Sequence, residues 1–295
     1  MSKKMMKRIA CNAVAVLGAV ACLGTVTACE TAHPEVEMTI SFNGHDYPLE
    51  YQLYRKVAPS TVNHFIALVK NGYYNGLCVH NYDDNGLKMY TGAYSVATDA
   101  EDADGLTYKS YYEVVGGYEN FPISVWQDSA KNAPLYTVYG EFDANGFQVE
   151  NGAKKQSYGS LTMYYYDKDT TAKAYVPYLS KDKEGELAAR QYKYNSATSQ
   201  FYISLSTTES TNSKYCTFAT LSEDSVEVLE DLQDAIADYI AEKYGDEEDA
   251  NAAFTTLQEV AVDTDDLYVK EKENIQKFDV PNSPIVIKEV KVTKY

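Results

Sequence analysis

Basic residues are in short supply in this chain: 26 Lys and Arg stand against 43 Asp and Glu in 295 residues, a formal net charge of −17. A surface of that sign repels phosphate backbones and anionic headgroups, which argues against a nucleic-acid partner. Histidine is scarcer still. His33, His45, His64 and His80 are the only four, and no two stand at ligand spacing on a predicted helix, so no metal site is expected. Asp99-Ala-Glu101-Asp102-Ala-Asp104-Gly105 alternates oxygen-bearing side chains like a calcium loop, but it lacks the glutamate that the twelfth loop position requires and reads as an acidic turn. No glycine pattern follows a strand as a nucleotide-binding turn demands, and no segment repeats. The one long apolar run, from Ala13 to Leu23, is too short to span a bilayer as a mature helix. What is present is 45% hydrophobic and 23% charged, enough for one large core or two modest domains.

The apolar run has another use. Lys3, Lys4, Lys7 and Arg8 precede it and Val26-Thr27-Ala28-Cys29 closes it, a pattern that resembles a bacterial lipoprotein cleavage box. Residues 1–28 are then a removable signal peptide, Cys29 is the lipidated first residue, and 29–36 form a tether. Loss of those four cations takes the balance from −17 to −21, since 22 basic residues remain against 43 acidic. The mature domain is expected outside the cytoplasm, anchored to the bacterial cell membrane through Cys29. Of the remaining cysteines, Cys78 and Cys216 could pair in an oxidising compartment or stay as two buried thiols; their apolar, strand-like surroundings favour the thiols.

Beyond the tether, two alternating runs flank Asn43-Gly44: Met38-Thr-Ile-Ser-Phe42 on one side, Tyr47-Pro-Leu49 and Tyr51-Gln-Leu53 on the other, a hairpin signature. Pro59 opens a helix over 59–71, with Val62, Phe65, Ile66 and Val69 on one face and Gly72 closing it. Residues 93–156 and 164–196 are Tyr-rich insertions punctuated by Gly and Asp. A helical excursion is expected over about 222–262, in two pieces: Val228, Leu229, Leu232, Ile236, Tyr239 and Ile240 mark the first, and an acidic second follows from about 247 to 260. Pro284-Ile-Val-Ile-Lys-Glu-Val-Lys-Val292 closes the chain as an alternating strand.

Five of these pieces, in this order, resemble the cyclophilin family of peptidyl-prolyl isomerases: the opening hairpin; Ala58-Pro59-Ser60-Thr61-Val62-Asn63 and Phe65 with Gly72-Tyr73-Tyr74 and Gly76; Gly159-Ser-Leu-Thr-Met163; Ser199-Gln200-Phe201-Tyr202-Ile203; and the last strand. The resemblance covers about half of the mature chain. It implies a mainly β fold with capping helices, a closed eight-stranded antiparallel barrel over 37–295 that carries the insertions. It also implies an enzyme that turns X-Pro bonds without nucleophile, metal or cofactor, its partners being proline-containing peptides or unfolded exported proteins.

Mapped onto the motif, Gln200 and Tyr202 take the family's glutamine and pocket phenylalanine, and His80 its histidine. Asn81 stands where the family places the catalytic arginine, Leu87 and Lys88 where it places a pocket phenylalanine and methionine, and Tyr90 in its glutamine-glycine run. The implied catalytic set is therefore Asn81, Gln200 and Tyr202, with a pocket of His80, Leu87, Lys88, Tyr90, Met163 and Tyr215. Asn81 donates a hydrogen bond without charge and reaches less far than arginine, so catalysis is expected to be attenuated, with Lys88 a nearby substitute cation. The alternative is a non-catalytic peptide- or glycan-binding lipoprotein on the same scaffold, for which 28 tyrosines offer rigid amphipathic contact area. The leader can be tested at once. Expressed in a bacterium, the chain should take up labelled palmitate, and Cys29→Ala should abolish both the label and membrane retention; a labelled Cys29→Ala protein contradicts the assignment.

Overall fold

Of the 295 residues, the computed structural model describes 31–96, 105–109, 138–143, 154–164, 175–179, 187–191, 196–210, 214–262 and 274–295. The expected leader, Cys29, residues 99–104 of the acidic turn and most of the two Tyr-rich insertions lie outside them. The fold begins with the expected hairpin. In β1 (Glu35–Phe42) the alternation places Val36, Met38, Ile40 and Phe42 in the core, and in β2 (His45–Leu53) it does the same for Leu49, Tyr51 and Leu53. Asn43 at φ 47° and Gly44 at φ 82° make the two-residue turn, the left-handed pair that lets antiparallel strands keep their twist.

Helix α1 (Pro59–Lys70) follows, burying Val62, Phe65, Ile66, Leu68 and Val69. Its N-cap, Ala58, has no side-chain acceptor. The Glu141 carboxylate, 80 residues further along the chain, fills that role: it accepts the backbone N–H groups of Ser60 at 2.9 Å and Thr61 at 2.8 Å. After the turn at Gly72 come β3 (Leu77–Cys78), β4 (Asn81–Asp83), β5 (Lys88–Thr91) and β6 (Tyr94–Val96). Next are β7 (Leu106–Tyr108), β8 (Val138–Tyr139), β9 (Leu161–Met163), β10 (Tyr175–Leu179), β11 (Leu187–Gln191), β12 (Ser196–Ala197), β13 (Phe201–Ser204) and β14 (Thr217–Leu221). A 3-10 turn at Glu223–Ser225 leads into α2 (Val226–Tyr244) and α3 (Ala250–Phe254), then β15 (Thr255–Val262), β16 (Asn274–Pro281) and β17 (Val286–Lys294).

Nine strands form the main sheet in the order β3-β17-β1-β2-β14-β9-β13-β5-β4, every neighbouring pair antiparallel. The sheet curls into a half-barrel, mainly β with few helices. Its two end strands, β3 and β4, are separated along the chain only by Val79 and His80. Val79 donates its N–H to Ile285 at one end of the sheet, and His80 donates to Tyr90 at the other. The remaining strands form two-stranded pairs: β6 with β7, β8 with β12, β10 with β11, and β15 with β16.

The excursion after β14 departs from expectation. Its first helix is present, with Leu229, Leu232, Ile236 and Ile240 buried, but the acidic second piece stays helical only over Ala250–Phe254. From Thr255 the chain becomes strand, paired residue by residue with β16 from Thr255↔Pro281 to Val262↔Asn274. The reason is local. Thr255, Thr256, Val260 and Val262 are β-branched, and their side chains suit a pleated ribbon better than a helix.

One contiguous core joins the sheet to α1 and α2. Phe65 is at its centre, its ring 5.0 Å from Tyr74, 5.1 Å from Phe218 and 5.7 Å from Phe201. Cys78 and Cys216 are both buried and unpaired, and desolvation pushes each thiol up to about 12, so neither is a thiolate at neutral pH. Because the Glu141 carboxylate meets the part-buried N–H of Ser60 and the buried N–H of Thr61 at the start of α1, Glu141→Ala should lower the unfolding free energy by about 2 kcal/mol. Urea denaturation measures this; a loss under about 0.5 kcal/mol would mean that the cap is dispensable.

Candidate functional site

The site starts from the pleat of β13. Phe201 and Ile203 point into the core, so Tyr202 and Ser204 belong to the opposite face. Pairing registers carry that face across five strands. Thr217 on β14 stands opposite Thr162 on β9, Thr162 opposite Tyr202, Tyr202 opposite Tyr90 on β5, and Tyr90 opposite Asn81 on β4. A second row on the same face, two residues away, joins Ser204, Lys88 and Asp83. Sequence positions from 81 to 217 thus meet on one side of the sheet.

Tyr202 is the floor of this face, only 2% exposed. Its ring lies 5.3 Å from Tyr90 and 6.3 Å, edge-on, from Tyr215, and Tyr164 meets Tyr90 edge-on at 5.7 Å. The Lys88 Nζ stands 5.1 Å from the centre of the Tyr202 ring and 5.9 Å from that of Tyr215, within reach of both π faces. The Tyr202 hydroxyl donates to Oε1 of Gln156 at 3.3 Å, and Nε2 of Gln156 donates to Oγ of Ser204 at 3.2 Å. Gln156 is itself fixed by a two-way backbone bridge with Ser210, 3.0 Å in each direction. Desolvation raises the Tyr90 phenol above its ordinary value, which keeps it a neutral donor.

Asn81, Lys88, Tyr90, Tyr202 and Tyr215 are therefore brought together. Leu87 stands at the rim, 42% exposed and at φ 50° in the turn between β4 and β5, where its carbonyl accepts the Leu205 N–H at 2.8 Å. His80, one residue before Asn81, faces the other way. It is buried between Tyr94 and Phe278, each 4.9 Å from its ring, with the Gln200 side chain beside it. Asn81 is also engaged, its Oδ1 accepting the backbone N–H of Asp279 on β16 at 2.8 Å.

Met163 does not join the group. It pairs with Phe201 and belongs to the core, because one residue along a strand changes the face and Thr162, not Met163, is opposite Tyr202. Thr162, Tyr164, Gln156, Phe278 and Asp279 were not foreseen. Counting by two from the residue opposite Tyr202 would have found Tyr164, whereas nothing local to Asn81 points to Asp279, 198 residues away. Chemically the face offers an aromatic floor, hydroxyl and amide donors, and an ammonium. Among the described residues no three His, Cys, Asp or Glu side chains gather to hold a metal ion.

Residues 36–251 match the family model for cyclophilin type peptidyl-prolyl cis-trans isomerase/CLD. Strands β15, β16 and β17 fall beyond the matched stretch. Among solved structures, a cyclophilin type peptidyl-prolyl cis-trans isomerase of Cryptosporidium parvum is similar at 15% identity and a TM-score of 0.43, over 89% of this chain and 99% of that one. The same protein in the presence of the dipeptide Ala-Pro gives 15% and 0.42, over 88% and 99%. No curated protein matches.

Burial of two histidines makes stability depend on pH. Desolvation lowers His64, whose Nε2 is 2.6 Å from the Thr198 carbonyl oxygen, and His80 from 6.5 to about 3. The unfolded chain takes up these protons near pH 6.5 and the folded chain only near pH 3, so stability is complete above 6.5 and declines as acid is added. The slope is up to about 1.4 kcal/mol per pH unit for each histidine. Urea midpoints should fall between pH 7 and pH 5, less steeply in His64→Gln; a midpoint that does not move contradicts neutral burial.

Proposed function

The chain belongs to the cyclophilin-type peptidyl-prolyl cis-trans isomerase family, and from that premise we propose that it is a slow isomerase of X-Pro bonds that assists the folding of exported proteins from a lipid anchor on Cys29. The observation that carries this reading is the Lys88 ammonium above the Tyr202 ring, on the face that also bears Tyr90 and Asn81. The barrier to rotation about an X-Pro bond is the resonance of its amide, and uncatalysed isomerisation takes tens to hundreds of seconds. The site has to seat the proline ring against an apolar wall and favour the twisted amide over the planar one. In this reading Tyr202 and Tyr90 provide the wall. Lys88, in place of the family's arginine, provides positive charge for the carbonyl and the pyramidal nitrogen.

An ammonium on a flexible stem is a point charge without the planar fork of a guanidinium, so the stabilisation is weaker and the reaction slower, by about a hundredfold if one aligned charged donor is lost. The same reading extends to the sheet. The run 77–83, bonded to Ile285 on one side and Tyr90 on the other, supports closure into the eight-stranded barrel expected of the family. The engagement of Asn81 Oδ1 by Asp279 favours a second reading, a peptide- or glycan-binding protein that no longer turns substrate over.

A proline-isomerisation assay on the protein decides between them. Activity above background is expected, falling at least tenfold in Lys88→Met, which keeps the side chain's bulk over Tyr202 and removes its charge. No activity in the unsubstituted protein would leave the binding reading in its place.

A further inference from the structure

Position 81 differs from its family counterpart by more than the loss of charge. The backbone ladder between β3 and β17 ends with Val79, which donates to Ile285 at 2.8 Å. Two residues later no backbone bond continues it. The Asn81 side chain does so instead, its Oδ1 taking the N–H of Asp279 at 2.8 Å and joining β16 to the end strand of the sheet. A second contact fastens the same hairpin: the Phe278 ring meets His80 edge-on at 4.9 Å and Tyr94, tilted, at 5.2 Å. Both residues flanking this joint, His80 and Asn81, belong to the matched family stretch, whereas the hairpin β15–β16 lies beyond it.

Arginine could not make this joint. A guanidinium has five N–H donors and no acceptor, so it cannot receive the Asp279 N–H, while the asparagine amide oxygen can. Catalytic arginine and hairpin clasp are therefore mutually exclusive uses of one position.

We propose that Asn81 is a positioning residue whose side-chain oxygen clasps the β15–β16 hairpin to β4, so that the hairpin walls the Asn81 end of the tyrosine groove and helps to hold the prolyl peptide. The wall rests on the proposed function; the clasp does not. Asn81 then acts through the hairpin on peptide binding and takes no part in bond rotation. Asp279 pairs with Leu257 across the hairpin while its N–H turns outward to Asn81, so the donor can be removed by Asp279→Pro without touching Asn81.

The test uses the full protein and amide hydrogen exchange at Asp279, with the Ile203 amide of β13 as the reporter of global folding. In Asn81→Ala the Asp279 amide should exchange about tenfold faster with Ile203 unchanged, and Asn81→Asp, which keeps an acceptor oxygen, should restore protection. Asn81→Arg should behave like Asn81→Ala. In the isomerase assay Asn81→Ala and Asp279→Pro should each raise KM several-fold with kcat within about twofold, and the double variant should do no more than either, since both break one bond. If the protein proves inactive, the dissociation constant for an alanyl-prolyl peptide, measured by NMR titration, is read in place of KM. Unchanged Asp279 exchange in Asn81→Ala overturns the clasp whatever the activity. Faster exchange with unchanged KM or peptide affinity overturns the wall, and a fall in kcat at constant KM puts Asn81 in the chemistry and overturns the assignment.

Discussion

The pleat of β13 is the constraint on which the rest depends. Phe201 and Tyr202 are consecutive aromatic residues with opposite duties, because successive side chains on a strand point to opposite faces. Phe201 completes the cluster around Phe65 that ties α1 to the sheet, and Tyr202 forms the floor of the tyrosine face. A shift of one residue in the pairing of β13 with β5 or β9 would exchange them, placing a hydroxyl in the core and a bare ring at the site. The core therefore does more than stabilise the molecule. By holding Phe201 it fixes the register that aligns Thr162, Tyr202, Tyr90 and Asn81 across the strands.

Beside that fixed row the face carries both a cation and an acceptor. The ammonium over Tyr202 comes from Lys88 on β5, one row away from Asn81 on the same face. Asn81 carries the acceptor, and a strand pair distant in sequence is bound to it. The two features are compatible: a residue that accepts a backbone N–H through its amide oxygen brings no charge, and a neighbouring position can carry one because alternate residues of antiparallel strands share one surface.

Much of this was legible in the sequence. The hairpin around Asn43-Gly44 and the helix opened by Pro59 each rest on signals contained within one short stretch of chain, and the alternating terminal strand lies only two residues beyond its expected span. The positions that the resemblance maps to the pocket, Asn81, Lys88, Tyr90, Tyr202 and Tyr215, meet on one face of the sheet, a grouping that follows from their order along the motif. What could not be read was set by contacts between distant segments or by parity. Glu141 caps α1 from within an insertion, and Asp279 reaches Asn81 from the far end of the chain. Met163 falls on the core face, away from Tyr202, because a motif gives order along the chain and the pleat decides the face. The run from Thr255 was read as helix because its acidic neighbours continue the helical composition, while its β-branched residues find a partner only in β16.

The position of β17 has a consequence for how the molecule comes into being. This strand lies between β1 and β3, inside the sheet, so β1 near the start of the domain has β2 on one side and must wait for Val286–Lys294 to fill the other. The sheet cannot close over its core until β17 itself has emerged. Until then the apolar edge of β1, with Val36, Met38 and Ile40, stands open as a pairing template, and the high separation of its contacts makes closure slow. During its synthesis the chain therefore carries an unpaired strand edge that must be kept from premature association.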